Sequence, residues 1–117
     1  MDLNSAIEAH GQWKVKFRTA IRSKEKLDAA TISRDNACAL GQWLHGEAKG
    51  KYAALKSYGS CVDKHAAFHR EAGKVAEAIN AGKFDEAEKM LAGATPYASA
   101  SSAVGGAIVG LQKEAGL

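Results

Sequence analysis

At 117 residues, 46% apolar and 25% charged, the chain is long enough for one hydrophobic core and too balanced in composition to be disordered or fibrous. Lysine and arginine (16) exceed aspartate and glutamate (13) by three, but the two signs are interleaved and no basic run alternates with aromatics, which argues against a nucleic-acid partner. Pro96 is the single proline and the glycines are spread along the chain, so the profile is that of an all-α protein.

The first residues, MDLNSAIEAHGQW, have no basic region followed by an apolar one, so no secretory signal is expected. The longest apolar stretch, AVGGAIVGL at 103–111, is about half the roughly 20 residues of a spanning helix. Cys38 and Cys61 are expected to stay reduced in a cytoplasmic protein, where a cysteine among histidines binds metal or reacts.

In chain order, a first helix is predicted from Asn4 or Ser5, with Ser5 and Glu8 as a capping box. Its apolar stripe runs Leu3, Ile7, Phe17 and Ile21, with His10 inside it and Trp13 a turn further on the same side. Residues 24–33 lose periodicity and read as a connection, with Ser33 capping a second helix over about 35–46 that carries CALGQWLHG and stops at Gly46. One or two helical turns are expected in the link that follows. The third helix has the clearest seam: Tyr58, Val62, His65, His69, Ala72, Ala76 and Ile79, ending at Gly82. A fourth, from about Asp85, repeats the pattern through Ala87, Leu91, Ala94, Ala98, Ser101, Gly105, Ile108 and Leu111, with Pro96 as a break or kink. Its small residues predict close packing within its own bundle or against a second copy. The expected architecture is therefore an antiparallel four-helix bundle with an extra short helix or turn, as one domain over 1–117.

Three of the four histidines fall on inward seams. Residues four apart on a helix stack within roughly 6 Å, so His65 and His69 can reach one ion. A closed zinc site needs four nitrogen or sulfur donors, and His10 plus one cysteine would complete it between the helices. Cys38, at the first turn of the second helix, is favoured because the exposed amides there stabilise a thiolate. Cys61 lies about 12 Å along the axis from His69 and cannot share a tetrahedral ion with both histidines. His45 is about 10 Å along its helix from Cys38 and suits the helix C-terminus as a cation instead. The competing reading is a metal-free bundle whose buried histidines bond to serine, carboxylate or backbone groups.

The elements HGQW (10–13), CALGQWL (38–44) and HAAFH (65–69), in that order, resemble the chemoreceptor zinc-binding domain (CZB) family. The resemblance covers roughly residues 3–90. It implies a cytoplasmic, often dimeric bacterial helical bundle holding Zn2+ through His10, Cys38, His65 and His69. Gly41 would let helices approach beside the metal, and Trp13, Trp43 and Phe68 would wall it off. Members are usually attached to chemotaxis receptors or diguanylate cyclases, so a homodimer and a signalling partner or separate output domain are expected, responding to zinc or to oxidation of Cys38. An enzyme is disfavoured, because four protein donors leave no open position for water and Asp63 and Glu71 lie off the seam. A di-iron bundle is disfavoured too, because it needs several inward carboxylates. A helical interaction bundle with a purely structural zinc is the alternative.

Overall fold

A computed structural model describes residues 1–117. It is all-α, with seven helices: α1 (Leu3–Ser23), α2 (Ala29–Ile32), α3 (Ala39–His45), α4 (Glu47–Tyr52), α5 (Lys56–Asn80), α6 (Phe84–Met90) and α7 (Pro96–Ala115). None is long and apolar enough to cross a membrane.

Helix α1 starts earlier than its capping box implied. Asp2 is the cap, its Oδ1 accepting from the Asn4 and Ser5 amides at 3.0 and 3.3 Å, and the Ser5 hydroxyl is spent donating to Asp2 Oδ2. The carboxylate wins because it carries full negative charge at the positive end of the helix. The buried face of α1 runs Leu3, Ala6, His10, Phe17 and Ala20, with Ile7 and Ile21 flanking it.

The stretch read as a connection holds a one-turn helix, α2, the expected second helix is shortened to α3, and the helical turns expected after it are α4. Asp28 caps α2 by accepting from the Thr31 amide, and Ser33 closes that helix rather than opening the next. A turn over 33–38 follows, and α3 begins only at Ala39, with Cys38 extended at its cap (φ −89°, ψ 163°). Gly46 separates α3 from α4.

Helix α5 matches its predicted seam, with His65, His69, Ala72, Ala76 and Ile79 buried, and Gly82 turns the chain at φ 76°. The predicted fourth helix is two. Ala94 takes a left-handed conformation (φ 61°), Thr95 caps α7 by accepting from the Ala98 amide, and Pro96 occupies the first helical turn, where its missing N–H costs nothing. The inward face of α7 is Tyr97, Val104, Ile108 and Leu111. Gly105, Gly106 and Gly110 lie off it, and a Cβ at any of them would meet nothing within 4 Å. No other backbone of this chain approaches them, so of the two expectations for these small residues the close packing within the bundle is not met.

The direction of the helices follows from bonds between their ends. Leu27, just past α1, and Asn80, at the end of α5, exchange two hydrogen bonds of 2.7 Å, while His10 faces His65, so α1 and α5 run parallel. Helix α7 opposes both: Ser57 donates to Glu114, and Gln112 to Asn4. Residues 29–52 descend against α5, with Ile32 beside His69, Cys38 beside His65, and the Leu44 carbonyl accepting from Tyr58 at 2.7 Å. The order is up, down, up, down, with the second position broken into α2, α3 and α4 and with α6 as a short helix between α5 and α7. Phe17, Phe68, Leu40, Leu44, Leu91, Ile108 and Leu111 fill the core. The only buried polar side chains are His10, His65 and His69.

Candidate metal centre

Those three histidines meet. His10 comes from the middle of α1, while His65 and His69 come from adjacent turns of α5. Cys38 reaches them from the head of α3. The His65 Nε2 lies 3.1 Å from His10 Nε2, 3.1 Å from His69 Nε2 and 3.2 Å from Cys38 Sγ, and Cys38 Sγ lies 3.6 Å from His69 Nε2. One ligand atom from each residue falls within 4.8 Å of every other.

The outer nitrogens define what the inner ones present. His10 Nδ1 donates to the Ala6 carbonyl one turn back at 2.7 Å, and His69 Nδ1 donates to the Ile32 carbonyl at 2.8 Å. A carbonyl only accepts, so both rings carry hydrogen on Nδ1 and turn a bare Nε2 lone pair inward. The backbone acceptors of the metal-free reading are therefore present, but they satisfy only the outside of the His10 and His69 rings, and inside, four donor atoms share at most the protons of His65 and Cys38. The His65 Nδ1 is buried with no partner at all. Lone pairs from nitrogen and sulfur packed this closely repel one another unless a cation lies among them. Three imidazoles and one thiolate are the donor set and number of a closed zinc site, so the residues fit that ion.

Burial pushes the imidazoles toward the neutral, ligating form. His65 is pushed down to about 3, chiefly by burial and then by the neighbouring His69 and His10. His10 is lowered by burial, which outweighs its bond to Ala6, and His69 likewise despite its bond to Ile32.

Cys38 differs from the histidines in being half-buried. Its sulfur accepts from the Gly41 amide at 3.4 Å as the N-cap of α3. Ala6, Ala9, His10, Ala39 and Leu40 line a half-open apolar cavity of about 260 Å3 that also reaches Cys38. On its other side, Cys38 and His69 border a smaller cavity of about 150 Å3 with Trp13 and Thr31.

The remaining sequence candidates have distinct places. Phe68 is fully buried and stands edge-on to His10 and His69, with centroids 5.3 and 5.4 Å apart. Trp13 packs on Phe17 at 5.4 Å and carries the Lys16 ammonium over its ring. Trp43 packs against Tyr52 at 6.0 Å. Gly41 does permit a close approach, but by the turn that leads to Cys38 rather than by a helix: a Cβ there would lie 1.6 Å from the Asp35 carbonyl oxygen. Cys61 is buried outside the donor group, its thiol pushed up to about 11 by burial. His45 is exposed and bonds to the Asp35 carboxylate at 2.9 Å. Sequence reasoning missed the outer acceptors. Ala6 stands four before His10 and was legible on a helix, whereas Ile32 comes from a segment read as a connection.

The family model described as "Chemoreceptor zinc-binding domain" matches residues 10–76, more than half of the chain and a span that contains all four donors. No curated protein and no solved structure matches it.

Proposed function

The chain belongs to the chemoreceptor zinc-binding domain family, and from that premise we propose that His10, Cys38, His65 and His69 hold one zinc ion in a regulatory domain of bacterial signalling, of the chemotaxis or cyclic-di-GMP kind. Residues 1–117 act as one cytoplasmic domain that forms a homodimer and passes its state to an output domain or partner protein. The observation that carries this reading is the convergence of four donor atoms within 4.8 Å at the only buried polar cluster of the fold. Zinc, when bound, supplies the positive charge that pairs with these lone pairs and keeps Cys38 as a thiolate.

The protein's own residues do the rest. His10 and His69 are oriented by carbonyls of α1 and α2, His65 is held between them, and Cys38 is presented by the turn before α3. The donors thus join α1, α5 and the broken second position, so their disposition is coupled to the mutual packing of three segments. Two inputs can change it. Falling zinc availability leaves the inward lone pairs facing each other. Oxidation acts on the most accessible donor: the Cys38 sulfur attacks one oxygen of a peroxide, the O–O bond breaks, hydroxide leaves, and the resulting sulfenic acid is a poorer donor. The apolar cavity beside Cys38 admits a small neutral oxidant.

Catalysis is not part of the reading, because four protein donors leave no position for a substrate water. For self-association we favour the outer face of α7, where Ser102, Gly106 and Val109 are exposed on a helix without a charged residue before Lys113. Metal analysis of the purified protein tests the core of the proposal. One zinc per chain is expected, lost in Cys38→Ser and kept in Cys61→Ser; retention in the first and loss in the second would move the sulfur ligand and overturn the site.

A further inference from the structure

Gly73 stands in the buried middle of α5, one turn after His69. Glycine is a poor choice inside a helix unless something must come close, and here something does. A Cβ on Gly73 would lie 2.6 Å from the Cβ of Ser33 and 3.1 Å from its Cα. Ala72 and Ala76, buried on the same helix, keep their methyl groups, so general crowding of α5 does not account for the glycine. Ser33 is a junction. The residue before it, Ile32, offers the carbonyl that accepts from His69 Nδ1 at 2.8 Å. After it the chain turns through Asp35 and Asn36, which lie on Gly41, to reach Cys38.

We infer that Gly73 is a positioning residue of the metal centre. Its missing side chain lets Ser33 seat against α5, so that the Ile32 carbonyl reaches His69 and the turn over 33–38 delivers the Cys38 sulfur to the three imidazoles. The inference rests on the ligand assignment proposed above. A methyl group at position 73 pushes the Ser33 backbone off the helix. The first interaction to suffer is the directional bond to His69, because apolar contacts tolerate a small shift that a hydrogen bond does not.

The test is a substitution cycle in the full chain, read as zinc affinity by chelator competition and as the absorption spectrum of the cobalt-substituted protein. Gly73→Ala is expected to weaken zinc binding by about tenfold or more, the range for loss of an outer partner of a metal-bound histidine, and to shift the cobalt ligand-field bands. Ser33→Gly alone should bind near the parent level. The double variant Gly73→Ala/Ser33→Gly should recover most of the affinity and the parent spectrum, because the nearest clashing atom is gone. Gly59→Ala, on the same helix with open space around its Cβ, should change neither readout. Should Gly73→Ala fail to fold, the double variant measured against Ser33→Gly decides the matter, since the two must bind zinc alike. Parent affinity and spectrum in Gly73→Ala, or a loss that Ser33→Gly does not repair, would overturn the inference. A parent protein that binds no zinc would overturn the ligand assignment instead, and that failure is visible before any variant is made.

Discussion

Acidifying the metal-free protein from pH 7.5 to 5.5 should destabilise it, and three residues should account for the loss. His10, His65 and His69 have relative exposures of 5%, 0% and 2%, and all three are lowered by burial. For a base held below its unfolded value, the unfolded chain takes up protons first. Stability is therefore complete above the unfolded pKa of about 6.5 and falls as pH drops through it. His65, pushed down to about 3, stays neutral across the whole window, and at pH 5.5 its unprotonated folded form costs about 1.4 kcal/mol relative to pH 7.5. His10 and His69, also lowered by burial, add to this loss in the same direction. With an unfolding entropy near 2.1 cal/mol/K per residue, each kcal/mol moves the midpoint of a chain this size by about 4 °C. The expected fall in Tm is then about 6 °C from His65 alone, deepened by His10 and His69. The carboxylates that the fold perturbs are held below their ordinary range and so titrate below this window. Circular dichroism melts in excess chelator at pH 7.5, 6.5 and 5.5 measure the effect. A Tm that is level or rises on acidification would refute the reasoning, because it would mean the imidazoles are protonated in the folded state.

Zinc at a free concentration one hundred times its dissociation constant should stabilise the fold by about 2.7 kcal/mol, seen as a Tm rise that disappears in Cys38→Ser. Gly41→Ala should lower both zinc affinity and Tm, since the added methyl would collide with the Asp35 carbonyl rather than with a movable side chain; calorimetry and metal titration read the two effects. Gly106→Ala, exposed on α7 with nothing near its Cβ, should stabilise the monomer by about 0.5–1 kcal/mol and weaken self-association in sedimentation if that face joins two copies. In the metal-free native protein iodoacetamide should label Cys38 and spare Cys61, whose thiol is buried and pushed up to about 11; mass spectrometry of the peptides distinguishes them.

Helix boundaries were legible where a local rule operates without competition. The α5 seam and the turn at Gly82 follow from periodicity and glycine's tolerance of positive φ. Two adjacent capping residues are harder to rank, and Asp2 displaced Ser5 because its charge interacts with the helix end. Of the breaks in the second position, the one at Gly46 was legible and the turn over 33–38 was not. Ser33 of that turn lies against Gly73, and Asp35 and Asn36 lie against Gly41, two glycines far apart in sequence that read as ordinary helix positions. On α7, small residues at helical spacing predict the packed seam, whereas Tyr97 and Val104 turn inward beside Ile108 and Leu111. Volume decided that register: the larger side chains fill the core, and glycine at an inward position would leave a void.

For this chain, residue order alone determined which side chains can bind and that His65 and His69 point the same way, because imidazoles at i and i+4 share a face whatever surrounds the helix. It also carried the family. Only the three-dimensional packing decided how the donors are aimed: the Ile32 carbonyl behind His69, the bare Nδ1 of His65, and the turn that presents Cys38. Those depend on contacts between segments dozens of residues apart, and a pattern confined to one helix holds no information about what lies across from it.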